Sequence, residues 1–129
     1  MIKETEEVLN RIKSYYKMTV AELSNLLGLK PIAGETGMGR QISGGYVSDL
    51  LSDVMGRIKN GNIWITMQSH MNVVAIAALR DVPAVIIVNG TMPSPEVIQK
   101  ANDEGVTLLV TSLNAFETAG IIYKSLKIK

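Results

Sequence analysis

Apolar residues recur at helical spacing in some stretches and as short unbroken runs in others, and the two patterns alternate along the chain. Val8, Leu9, Ile12 and Tyr16 share one face of a 3.6-residue period, with Glu4, Glu6 and Glu7 in the early turns. That spacing predicts a helix over residues 3–16. Thr19-Val-Ala-Glu22 has the form of a capping box ahead of Leu23, Leu26 and Leu27, and Gly28 is placed to stop that short helix. Residues 29–33 read as a short strand, and Pro31 suits a sheet edge. Residues 34–39 form a loop, and residues 41–48 are extended, with a break expected at Gly44-Gly45. Leu50, Leu51, Val54 and Ile58 mark a further amphipathic helix, capped by Ser48 or Asp49 and finished by Gly61.

From there the alternation is regular. Strands are predicted at 63–66, 84–88 and 107–111, and helices at 71–79, 96–104 and 115–126. The helix at 71–79 is apolar on nearly every side and should be deeply buried. Val85, Ile86, Ile87 and Val88 have the β-branched character of an interior strand. Apolar strands about every 20 residues, with a helix between each pair, are the pattern of βαβ crossovers in a parallel sheet. The fold class is therefore α/β, a compact single domain with a mainly parallel sheet flanked by helices.

Composition narrows the chemistry. The chain has 129 residues, enough for one domain, and 47% hydrophobic content, enough for a core. A net charge of +1, with no cluster of Lys and Arg among aromatics, argues against a nucleic-acid partner. The absence of cysteine removes disulfides, cysteine-ligated zinc and thiolate-bound iron–sulfur clusters, and the one histidine, His70, supplies a single ligand at most. No metal site and no cofactor are expected. The apolar windows are too short to span a bilayer, and the acidic–basic opening is unlike a secretory leader, so the expectation is a cytoplasmic protein without membrane contact.

The candidate sites are of two kinds. Gly34-Glu-Thr-Gly-Met-Gly39-Arg40-Gln41 comes near a phosphate-binding loop. It has Arg40 in the place of the lysine and Gln41 in that of the magnesium-binding hydroxyl, and a strand follows where a helix should begin. A turn is the simpler reading. The second kind is the set of corners where strands end and helices begin, the usual place for a ligand in a parallel sheet. Thr66, Gln68, Ser69 and His70 form one corner, Asn89, Gly90 and Thr91 a second, and Thr111 and Ser112 a third. With Arg40 they could hold a small anion or a nucleotide phosphate; otherwise they cap helices and shape turns. Asp49 and Asp53, four residues apart, would share a helix face and could pair across a metal or act as acid and base, though near a helix start they equally suit the helix dipole, which is the favoured reading.

Beyond these readings, the chain resembles a known family. Thr19-Val-Ala-Glu-Leu23, Leu29-Lys-Pro-Ile-Ala-Gly34 and Gly39-Arg40-Gln-Ile42 are similar to the opening of the DRTGG domain and of the related N-terminal domain of HPr kinase/phosphorylase. The similarity continues through Ile63-Trp-Ile-Thr66, Pro83-Ala-Val-Ile-Ile-Val-Asn-Gly90, Pro95-Glu-Val-Ile98 and Val106-Thr-Leu-Leu-Val-Thr111, and so covers residues 18–126. Of the name-giving positions Arg40 stands in place, Gly39 replaces the Asp, and Asn89 and Thr91 flank Gly90 where Thr-Gly-Gly is usual. The kinase catalytic domain has no counterpart. With the first helix set apart as residues 1–17, the resemblance implies a DRTGG-like α/β domain over 18–129 and a non-catalytic regulatory or interaction module. Such modules accompany CBS domains, phosphotransacetylase-type enzymes or the HPr kinase domain. Stand-alone copies are often encoded beside iron-only hydrogenase components, so the alternative is an accessory protein of a hydrogenase or other redox enzyme. A homodimer through the first helix or a sheet edge is expected. A small phosphotransferase using Arg40, Asp49, Asp53 and His70 is the third reading.

Overall fold

Alternation of side chains along buried strands creates two apolar surfaces, and helices cover both. In the computed structural model residues 3–8 and 18–126 are described; residues 3–8 are helical, and the rest of the helix expected over 3–16 lies outside the described residues. In order follow β1 (Met18–Thr19), α1 (Val20–Leu27), β2 (Pro31–Ala33), a 3-10 turn (Glu35–Gly37), β3 (Gln41–Ile42) and β4 (Gly44–Val47). Then come α2 (Leu51–Arg57), β5 (Asn62–Thr66), α3 (Met71–Leu79), β6 (Val85–Ile87), α4 (Pro95–Glu104), β7 (Leu108–Val110) and α5 (Ala115–Leu126).

The main sheet has the order β2-β7-β6-β5-β4. β4, β5, β6 and β7 run parallel, in registers such as Trp64↔Val85 and Val85↔Leu108. β2 is an antiparallel edge, where Pro31 leaves no central ladder bond unmade. β1 and β3 form a separate antiparallel ladder, Met18↔Ile42 and Thr19↔Gln41. Trp64, Val85, Ile87 and Leu108 point into one core with Val54, Val73, Ala77, Val97 and Ala101 of α2, α3 and α4. Ile63, Ile65, Ile86, Val88 and Leu109 point the other way, to Val20, Leu23 and Ile122 of α1 and α5. The α/β class and the mostly parallel sheet stand as the pattern implied.

Three local expectations change. The break in residues 41–48 falls at Ser43, and Gly44 and Gly45 lie within β4. A Cβ at Gly44 would come within 2.7 Å of the Asn62 side-chain amide nitrogen, which can turn aside. α2 starts at Leu51, with no side-chain cap from Ser48 or Asp49, and ends at Arg57. α3 has its expected bounds, but only the stripe of Val73, Val74 and Ala77 is buried, and Leu79 is 68% exposed. Uniform apolarity gives a helix no preferred face, so the layer it packs on decides which side is covered.

Candidate functional site

Because the four parallel strands start together, their carboxyl ends also meet, and backbone hydrogen bonds fasten the corners to each other. The Val88 N–H donates to the Thr66 carbonyl at 3.0 Å, and the Gly90 N–H to the Thr111 carbonyl at 2.8 Å. The Asn89 N–H donates to the Leu113 carbonyl at 2.9 Å. The three corners expected from sequence therefore form one continuous margin. Asn89 and Gly90 both have positive φ, 62° and 68°, at the centre of a tight turn closed by Thr91 N–H on the Val88 carbonyl.

Within that margin the threonines are structural. Thr66 is buried and donates through Oγ1 to Asp49 Oδ1 at 2.8 Å, while accepting from the Gln68 N–H at 3.1 Å. The same Asp49 oxygen accepts the Met67 N–H at 2.8 Å, and the Asp49 carbonyl accepts from Gln68 Nε2 at 3.4 Å. Thr111, also buried, accepts the Leu113 N–H. By contrast, the side chains of Ser69, His70, Asn89, Thr91 and Ser112 have no hydrogen bond to any described residue. They are the polar side chains of the margin that the described residues leave without a hydrogen bond.

The helix starts at this margin differ in how they are satisfied, and α2 has no side-chain cap but carries Asp53 in its first turn. α4 is capped by Ser94, whose Oγ accepts the Val97 N–H, and α5 by a reciprocal pair between Asn114 and Glu117. α3 begins at His70 with no side-chain cap and with no acidic residue in its first turn. Its free N–H groups and the positive end of its dipole face outward uncompensated. Around it Leu50, Met67, Met71 and Met92 expose large apolar side chains.

Arg40 is not there. Its guanidinium donates to the carbonyls of Val82 at 3.1 Å and Asp81 at 2.8 Å, and pairs with the Asp81 carboxylate at 3.1 Å. Asp81 and Val82 precede β6, so Arg40 belongs to the amino end of the sheet, opposite the margin. The reason is direction: Arg40 immediately precedes β3 and β4, and β4 runs parallel to β5 and β6, so whatever precedes it lies at their starts. The glycine loop beside it is also structural. The Gly34 N–H donates to Asn102 Oδ1 at 2.8 Å, its carbonyl accepts from Thr107 Oγ1 at 2.6 Å, and a Cβ on Gly34 would overlap the Val106 carbonyl. It wraps its own chain, not a phosphate.

Nor do Asp49 and Asp53 form a pair. Asp49 precedes α2 and holds the β5 corner, a role that only the fold reveals. Asp53 accepts from the Tyr46 hydroxyl at 2.8 Å and lies 3.4 Å from Arg57. The bond to Asp53, together with desolvation and the nearby carboxylate charge, raises the Tyr46 phenol above its ordinary pKa of 10.0, with Arg57 opposing. Among the described residues no three His, Asp or Glu side chains are grouped to hold a metal, and no helix is long and apolar enough to cross a membrane.

Comparison with known proteins adds two findings. The model of the DRTGG domain matches residues 32–125. The chain is similar to a solved structure of the CBS and DRTGG domains of the regulatory region of Clostridium perfringens pyrophosphatase, complexed with its activator diadenosine tetraphosphate. The identity is 20% and the TM-score 0.62, over 80% of this chain and 45% of that one, so this chain spans less than half of that regulatory region. No curated protein matches the sequence significantly.

Proposed function

The chain belongs to the DRTGG domain family, and on that premise we propose that it is a regulatory module that senses a small anionic ligand, a nucleotide above all, at the carboxyl margin of its sheet. The observation that carries this reading is the uncapped start of α3 among unpaired Ser69, His70, Asn89 and Thr91 side chains. A phosphate placed there would accept the free N–H groups of the first turn and gain from the helix dipole. Met67, Met71 and Met92 beside it offer a soft apolar surface on which a flat base can rest. The activator of the pyrophosphatase regulatory region, a dinucleotide with four phosphates, is a ligand of that kind.

The role we infer is non-catalytic. His70 has no hydroxyl or carboxylate partner among the described residues, and both aspartates are engaged elsewhere. Binding would instead couple the β5, β6 and β7 corners, since the turn at Asn89-Gly90 is bonded to both neighbours.

The test is thermal unfolding of the chain with inorganic phosphate, ATP and diadenosine tetraphosphate. A ligand at about 100 times its dissociation constant stabilises the folded state by about 2.7 kcal/mol. The decisive variant is His70→Asp. An acidic N-cap should itself stabilise α3, by about 0.5–1 kcal/mol, while repelling an anion from the same N–H groups. Raised basal stability with the ligand shift abolished supports the site. An undiminished ligand shift in this variant refutes it.

A further inference from the structure

The dipeptide Asn-Gly occurs twice in the chain, at residues 60–61 and 89–90, and in both places it fills the middle of a four-residue turn. The first turn joins α2 to β5 and is closed by the Asn62 N–H on the Lys59 carbonyl at 3.1 Å. The second is the turn of the carboxyl margin, closed by the Thr91 N–H on the Val88 carbonyl at 3.4 Å. Gly61 and Gly90 both have positive φ, 82° and 68°. Asn60 and Asn89 are both exposed, and neither side chain has a hydrogen bond to a described residue.

The turns differ in what holds their central peptide group. In a β-turn the N–H between the two middle residues has no partner within the turn itself. At Gly90 that N–H is taken by the Thr111 carbonyl of the neighbouring corner, at 2.8 Å. At Gly61 it has no acceptor among the described residues. The flanks of this first turn are pinned all the same. The Gly61 carbonyl accepts the Ser43 N–H at 2.9 Å, and Asn62 Oδ1 accepts the Lys59 N–H at 3.1 Å.

That free N–H decides a reaction. Once its proton passes to solvent, the Gly61 nitrogen can attack Cγ of Asn60, and the absence of a Cβ on glycine leaves the approach open. The new N–Cγ bond closes a five-membered imide, the Cγ–Nδ2 bond breaks, and the amide nitrogen takes up a proton and leaves as ammonia. Water then opens the imide at either carbonyl, which gives aspartate or an isoaspartyl link. A hydrogen-bonded N–H must first be released before it can follow this course.

We propose that Asn60 is a site of spontaneous covalent modification, by deamidation to aspartate and isoaspartate, and that the bond from Gly90 to Thr111 withholds Asn89 from the same reaction. Each event at Asn60 takes the formal net charge from +1 to 0. The isoaspartyl product also adds a methylene to the main chain at the entrance to β5, between the bonds made by Lys59 and Gly61. A carboxylate at Asn89 would instead stand on the margin where an anion is to be held, and the fold keeps it from forming.

The full chain is aged in mildly alkaline buffer and read by mass spectrometry after trypsin, which releases residues 60–80 and 81–100 as separate peptides. In the folded chain Asn60 should convert about tenfold faster than Asn89, the factor set by one hydrogen bond that has to break first. In urea the two should convert at equal rates, because the dipeptide is the same. Fragmentation should place the change at Asn60 and not at Asn62 or Asn72, where the β-branched Ile63 and Val73 crowd the attacking nitrogen. Equal rates in the folded chain, faster conversion at Asn89, or no conversion at Asn60 over the time it takes in urea overturns the proposal. A second readout is methyl transfer from S-adenosylmethionine by an isoaspartyl carboxyl methyltransferase, which labels the isoaspartyl product. The aged chain should accept the label, and an aged Asn60→Gln chain, whose side chain is a methylene too long for the five-membered ring, should accept almost none. Equal labelling of the two chains would overturn it as well.

Discussion

The two ends of the parallel sheet use similar residues and arrive at opposite results. At the amino end, Arg40, Asn102 and Thr107 spend their polar groups on the protein's own backbone, Asp81 pairs with Arg40, and Gly34 lets the loop press against Val106. At the carboxyl end, Asp49, Thr66 and Thr111 are also engaged, but a second tier of side chains has no bond to a described residue, and the starts of α2 and α3 carry no side-chain cap. The difference follows from strand direction. Helices enter the layer at the carboxyl ends of the strands, so unsatisfied N–H groups gather there. The amino ends receive helix carbonyls, and these the arginine side chains can satisfy, as Arg80 does by donating to the Ile58 carbonyl at 2.6 Å.

Two glycines with almost the same φ allow the sharpest test of this contrast. Gly34 at the amino end has φ 65°, and Gly90 at the carboxyl end has φ 68°. Gly34→Ala should carry the largest cost, about 3 kcal/mol or more in urea unfolding, because left-handed strain adds to overlap with the Val106 carbonyl. Gly90→Ala should cost only about 1–2 kcal/mol, since the nearest atom to its Cβ, Ser112 Cα, is 4.0 Å away. Equal losses at the two positions would mean that the two ends are packed alike.

Smaller still is Arg40→Ala. Its ion pair with Asp81 is solvent-screened, but it also loses two bonds to carbonyls, so a loss of about 1 kcal/mol is expected. Any ligand-induced thermal shift should survive it, because the guanidinium is at the far end of the sheet. A shift lost in an Arg40→Ala variant that still folds would move the site from the margin to the amino end. The smallest effect concerns Tyr46. Its pKa is raised in the folded state, so the stabilisation is complete below the unfolded value near 10 and is lost as pH rises through the higher folded value. In Tyr46→Phe this part of the alkaline decline should vanish from urea unfolding followed between pH 8 and 11. An unchanged pH profile would show that the Asp53 bond does not perturb the phenol.

Much of the fold was legible from pattern. The bounds of α3 and α5 and the capping box at Thr19 and Glu22 rest on interactions between near neighbours in sequence, and the edge position of Pro31 on the N–H that proline lacks. The loop glycines were legible as a turn but not as a close contact, because Val106 is far away in sequence. The candidate site was legible by half. Its three corners could be found because each follows a β-branched strand. What each side chain does there could not, since Thr66 and Ser69 look alike until Asp49 takes the first and leaves the second.

Local periodicity, turn residues and the lack of cysteine are properties of the chain read in order, and they were enough to set the α/β class, the succession of elements and the chemistry that is missing. Which end of the sheet Arg40 joins, and which polar groups remain unpaired, depend on residues more than 40 positions apart coming within hydrogen-bond distance of one another. Only the assembled layers decide that, because a hydrogen bond between distant segments exists once the apolar faces beneath it have been buried and not before.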